Sequence, residues 1–167
     1  VFFSYKKVDE RAATTIVDVL KENSADKLEV TYMAGFTEQY AGRRWRDQIS
    51  KGVRGANWFI LLLPDPSDEL DWCLYETGLF EAQLTSADRL ICLHHPDTEV
   101  PSPIQGYQAV AATMPEAERF LRRVFVGEDP VPGLRPINRA IERRLPELAR
   151  QLCDAIRVPK RRLNRKI

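Results

Sequence analysis

No apolar run in the chain approaches the roughly 18 residues of a membrane-spanning helix. The start of the chain shows no signal-peptide pattern, so a cytoplasmic protein is the expectation. Cysteine is scarce: Cys73, Cys92 and Cys153 are odd in number, lie in apolar contexts and lack metal-type spacing. That argues against a disulfide framework and for small core thiols of a reducing compartment. The two histidines, His94 and His95, are adjacent on or just after a strand, where neighbouring side chains point to opposite faces. No metal site is expected from them, and no other ligand cluster is present. The 8 glycines form none of the phosphate loops of dinucleotide or nucleoside-triphosphate sites. A phospho-receiver fails too: Asp65 lies near the end of the third strand, but Ser4–Lys7 supplies no acidic pair.

Charge of either sign is also not in excess. There are 25 basic and 24 acidic residues, a net +1. Five of the basic ones are Lys160, Arg161, Arg162, Arg165 and Lys166; without them 20 basic residues face 24 acidic ones, a net −4. The body therefore carries no general nucleic-acid signature. Residues 159–167 read as a basic tail, either a solvated end or a linker towards a further segment.

What is present is an ordinary globular composition, 44% hydrophobic and 29% charged, over 167 residues, enough for one domain with a sizeable core. Strands are expected over 1–5, 28–33, 58–63, 89–93 and 108–113. The 28–33 stretch alternates imperfectly, which suits a sheet edge. A helix over 9–23 turns Ala12, Ile16, Val19 and Leu20 inward, a polar loop spans 34–44, and a short helix over 45–52 uses Trp45 and Ile49. Residues 96–106 read as a loop with three prolines. Thr113-Met-Pro-Glu116 has the form of a capping box with proline in the first turn, opening a helix that Gly127 stops. Ile137, Ile141, Leu145, Leu148, Leu152 and Ile156 mark one apolar stripe, expected to kink at Pro146. The expected organisation is a main domain over 1–126 and a helical extension over 127–158 packed on it. Strands alternating with helices imply a mostly parallel sheet covered on both faces. The expectation is a flavodoxin-like five-stranded sheet in the order 2-1-3-4-5.

The chain is organised around WFILLLP (58–64) and WCLYETGLFEA (72–82). The first is a short apolar run ended by prolines, the mark of a buried strand. Asp71 is placed to cap a helix beginning at Trp72. Stepping 100° per residue, the apolar arc gathers Trp72, Cys73, Tyr75, Leu79, Phe80, Ala82 and Leu84, with Glu76 in its middle. A carboxylate on a core face is costly unless it is paired or reaches a wet cleft. Glu76 is therefore either a glutamate satisfied by a buried partner or a site carboxylate. In a sheet of this order the ligand crevice opens between the first and third strands, beyond their carboxyl ends. The first strand ends there in Ser4-Tyr5-Lys6-Lys7, and the loop after the third leads to Glu76.

VFFSYKK followed by Asp9 resembles the first box of Toll/interleukin receptor (TIR) domains. Gly42–Ile49, the Gly55-Ala-Asn57 turn and WFILLLP resemble the second helix and central strand of that family. Trp72-Cys73-Leu74-Tyr75-Glu76 resembles its Trp-Cys-x-x-Glu box, with Asp71 where a serine is usual. The likeness covers 1–126 and is strongest through Ala82.

The resemblance implies an enzyme that cleaves NAD+ as a substrate, with no cofactor, releasing nicotinamide and leaving ADP-ribose or a cyclic isomer. Bacterial, plant and some animal members do this, so a role in prokaryotic defence or signalling is expected. Glu76 takes the catalytic position. Lys6 falls where the family puts basic residues able to neutralise a pyrophosphate, with Lys7 beside it. Phe36 and Tyr40 lie in what resembles a mobile loop able to cover a base, bordered by Arg43, Arg44 and Trp45. Ser4, Tyr5 and Trp72 complete the substrate-binding candidates. The resemblance also implies a homo-oligomer through TIR–TIR contacts, and a fused or associated sensor domain is expected as a further partner. Two other readings stay open: a non-catalytic TIR interaction module, and a nucleoside deoxyribosyltransferase-like enzyme that also uses a glutamate.

Overall fold

The strand Trp58–Leu63 (β3) is buried at every position, as a strand covered on both faces must be. It organises a parallel sheet with Phe2–Ser4 (β1), Thr31–Tyr32 (β2), Arg89–His94 (β4) and Gln108–Ala111 (β5), in the order β2-β1-β3-β4-β5. The helices are Glu10–Glu22 (α1), Arg43–Arg54 (α2), Asp71–Glu81 (α3), Met114–Phe125 (α4) and Arg139–Arg157 (α5). The computed structural model describes residues 1–24, 28–32, 43–65, 70–85, 88–126 and 139–157. The expected sheet order and the edge position of the second strand are what the protein has.

Alternation along β3 divides the core in two. Trp58, Ile60 and Leu62 pack with α1, α4 and α5, whereas Phe59, Leu61 and Leu63 pack with α2 and α3. In α5, Ile141, Leu145, Leu148, Leu152 and Ile156 are buried in the first of these cores, and Pro146 lies inside the helix. Ile137, Gly127 and the basic tail lie outside the described residues. All three cysteines are buried thiols.

Several local expectations need correction. The second strand is two residues long, with Leu28 buried ahead of it. The second helix begins at Arg43 and runs through Gly52 to Arg54, and the proline-rich stretch after β4 holds a 3-10 turn at Ser102–Ile104. Gly52 lets α2 lie close to the sheet, because a Cβ there would stand 3.1 Å from Thr31 Cγ2. Neither expected side-chain cap forms. Leu70 is the N-cap of α3 and Asp71 its first residue, while Thr113 at the N-cap of α4 makes no side-chain cap bond. Glu116 instead accepts the backbone N–H of Ala111, tying the end of β5 to α4. That N–H competes successfully with the cap because the chain turns back between strand and helix.

Candidate functional site

Position in β1 decides which way each candidate faces. Phe2 packs in the α2/α3 core and Phe3 in the opposite one, so Ser4 returns to the α3 side and Tyr5 lies against the α1 side. Ser4 stands opposite Leu61 of β3, at the centre of the sheet. The chain then leaves β1 through a 3-10 turn at Lys7–Asp9.

Helix α3 buries Cys73, Glu76, Thr77 and Phe80. Their spacing of three, one and three residues is one helical face. This face is rotated from the expected apolar arc. Trp72 and Tyr75 are 41% and 42% exposed, and Ala82 and Leu84 are exposed as well. The two aromatic rings lie against each other, with centroids 5.2 Å apart and planes inclined by 30°. The carboxylate is turned inward and the indole outward.

Glu76 is 4% exposed. The fully buried Ser4 Oγ donates a hydrogen bond to its Oε2 at 2.5 Å. Burial pushes the Glu76 carboxyl up to about 7, with the Ser4 hydrogen bond opposing it. Among the described residues no ion pair reaches Glu76 and no partner satisfies Oε1. The Cys73 thiol is pushed up to about 11 by burial, against the influence of Ser4 and of the Lys6 charge. It is a neutral thiol at physiological pH. The Tyr5 phenol is also raised, first by burial and then by Glu10, Tyr32 and Glu76.

Lys6 is 8% exposed and held inward. Its Nζ donates to the Asp65 backbone carbonyl beyond β3 and stands 3.6 Å from Asp9 Oδ2. The ammonium thus bridges the segments that follow β1 and β3. Lys7 is exposed. Phe36 and Tyr40 lie outside the described residues, as do the side chains of Arg43, Arg44 and Trp45.

The constellation is a buried carboxylate with a fixed hydroxyl donor and a cation bridging neighbouring loops, at the switch point of a 2-1-3-4-5 sheet. The sequence profile of the TIR domain family matches residues 1–125. The chain belongs to the TIR domain family. Comparison with curated proteins and with solved structures finds no match. In this TIR domain the structure brings together Ser4 and Glu76 from the sequence candidates, holds Lys6 on Asp65 and Asp9, and leaves Tyr5 packed on the other face of β1. Trp72 is on the exposed side of the same helix as Glu76.

Two groups escaped the sequence reading. Asp9 is 5% exposed beside Lys6, and the Asp65 carbonyl receives the lysine. The three-residue spacing of Lys6 and Asp9 was the available signal for the first; a backbone acceptor leaves none. His94 and His95 are occupied locally: a ring nitrogen of His94 lies 2.8 Å from the His95 carbonyl, and His95 Nδ1 accepts the Asp97 N–H. No metal-type cluster occurs among the described residues. Among those residues, no helix is long and apolar enough to cross a membrane.

Proposed function

We propose that this TIR domain is an NAD+ glycohydrolase, with Glu76 as the catalytic residue, serving as an effector or signalling domain in prokaryotic immunity. The observation that carries the reading is the buried Glu76 carboxylate at the end of β1, bonded to a hydroxyl and, among the described residues, not neutralised by a cation. A glutamate kept only for structure gains little from such a place, since burial without a counter-charge is costly.

The chemistry asks little more of the protein. The nicotinamide of NAD+ leaves as a neutral base from a cationic pyridinium, so no general acid has to protonate it and the usual second carboxylate is dispensable. One ionised carboxylate at the ribose stabilises the positive charge that develops on the sugar as the bond breaks. Water attacking that carbon yields ADP-ribose; attack by the adenine moiety yields a cyclic isomer. Lys6 places positive charge beyond the carboxyl ends of β1 and β3, and Trp72 offers an exposed aromatic face on the helix that carries Glu76, suited to stacking a base. Family members commonly self-associate, and we take assembly with further copies as part of the active form.

The substitution Glu76→Gln tests the reading. It keeps the size and a hydrogen-bond acceptor for Ser4 but removes the charge, and loss of one such electrostatic partner lowers the rate by about 10²–10³. Activity within a few-fold of wild type would move the chemistry to another residue.

A further inference from the structure

Sequence places Ser4 among the groups that meet substrate, yet its hydroxyl is committed inside the protein. The side chain is fully buried, and its hydroxyl proton goes to Glu76 Oε2 at 2.5 Å across 72 positions of chain. A serine has a single proton to donate. While it serves the ionised carboxylate, none is left for a ribose or phosphate oxygen.

We propose that Ser4 is a positioning residue that pins Oε2 of Glu76 against β1 and presents Oε1 alone to the substrate, an inference that rests on Glu76 being the reacting carboxylate. The geometry supports it from both sides. Ser4 ends a strand whose Phe2 and Phe3 pair with Thr31 and Tyr32, and it stands opposite Leu61 of β3, so its backbone is held in place. Glu76 is held on its helix between buried Cys73, Thr77 and Phe80. An O–H···O⁻ bond of this length is among the stronger charge-assisted kinds. It favours the ionised form that the reaction needs, and it is the influence that opposes burial at Glu76.

Other titratable groups surround the pair. Tyr5 and Lys6 come from the end of β1, Asp9 from the following turn and Cys73 from the preceding turn of α3. Lys6 is directed to Asp65 and Asp9, and the Cys73 thiol is neutral. The direct hydrogen bond to the carboxylate comes from Ser4.

The test uses the full chain with Ser4→Ala and Ser4→Thr, each also combined with Glu76→Gln. The pH dependence of the stability difference between each pair reports the ionisation of Glu76 without any substrate. Loss of a hydrogen bond to a charged group moves that midpoint upward by about one pH unit in Ser4→Ala. The acid limb of kcat/KM for nicotinamide release from NAD+ moves by the same amount, and Ser4→Thr returns both towards wild type. An unmoved midpoint in Ser4→Ala overturns the inference, whether or not Ser4→Thr folds. If wild type releases no nicotinamide, the proposed function fails, and the substrate-free midpoint alone still decides what Ser4 does.

Discussion

Replacing Glu76 by glutamine has a consequence for stability that is separate from activity. The carboxyl has an ordinary value of 4.5 and is pushed up to about 7 in the fold. Because the folded value lies above the unfolded one, the native state binds more protons between pH 4.5 and 7. Stability therefore falls as pH rises through that window, and the full penalty is present above pH 7. A displacement from 4.5 to about 7 corresponds to about 3 kcal/mol, at about 1.4 kcal/mol per unit. Glutamine has no charge to bury and accepts the Ser4 hydrogen bond through its amide oxygen. The advantage of Glu76→Gln over wild type is thus smallest near pH 4.5 and grows by about 3 kcal/mol by pH 8. For a domain of this size that growth is a Tm gain of about 6–12 °C. Urea unfolding of both proteins at half-unit steps of pH measures it, and every other titrating group cancels in the difference. A difference that stays constant with pH would refute the raised value of Glu76 and the reasoning built on its burial.

On the proposed activity the same ionisation would govern catalysis, with the opposite benefit: the carboxylate must be charged to stabilise a ribosyl cation. kcat/KM for NAD+ is expected to fall tenfold per pH unit below about 7; the kcat limb lies lower, because the bound pyridinium favours the ionised form. A flat profile from pH 5 to 8 would contradict this. Lys6→Met removes the donor to Asp65 and the charge 3.6 Å from the buried Asp9 carboxylate. It is expected to cost about 3 kcal/mol in urea unfolding. A loss under about 1 kcal/mol would show that Lys6 is held for substrate rather than for the fold. Specific activity is expected to rise with protein concentration if neighbouring copies complete the site, and constant activity with a monomer by light scattering across a wide dilution series would decide for a self-sufficient domain.

How much of this was legible in the sequence follows from the range of the interactions involved. β3 could be read to the residue, because a strand buried on both faces is a continuous apolar run closed by proline. The order of the sheet followed from the alternation of strands and helices together with the family boxes. Helix α3 was legible as a helix, but its buried face was not. Hydrophobicity drew Trp72 and Tyr75 inward, whereas the fold spends that face on Cys73, Glu76, Thr77 and Phe80 and leaves the aromatic rings exposed. The capping box of α4 failed for a local reason: Glu116 found the Ala111 N–H instead of closing on Thr113. Glu76 stood out as a carboxylate on the wrong kind of face, yet its partner was invisible. Ser4 lies 72 positions away, and only the pairing of β1 with β3 beneath α3 brings the two together.

The proposed cleavage of the nicotinamide–ribose bond at Glu76 is read out by product release. Concentrated wild-type protein and Glu76→Gln are incubated with NAD+ at pH 8, where Glu76 is ionised, and nicotinamide and ADP-ribose species are separated by chromatography over time. Nicotinamide and an ADP-ribose product are expected in equal amounts with wild type, and a rate lower by about 10²–10³ with the variant. Equal rates for the two proteins, or intact NAD+ with wild type at every concentration, would contradict it.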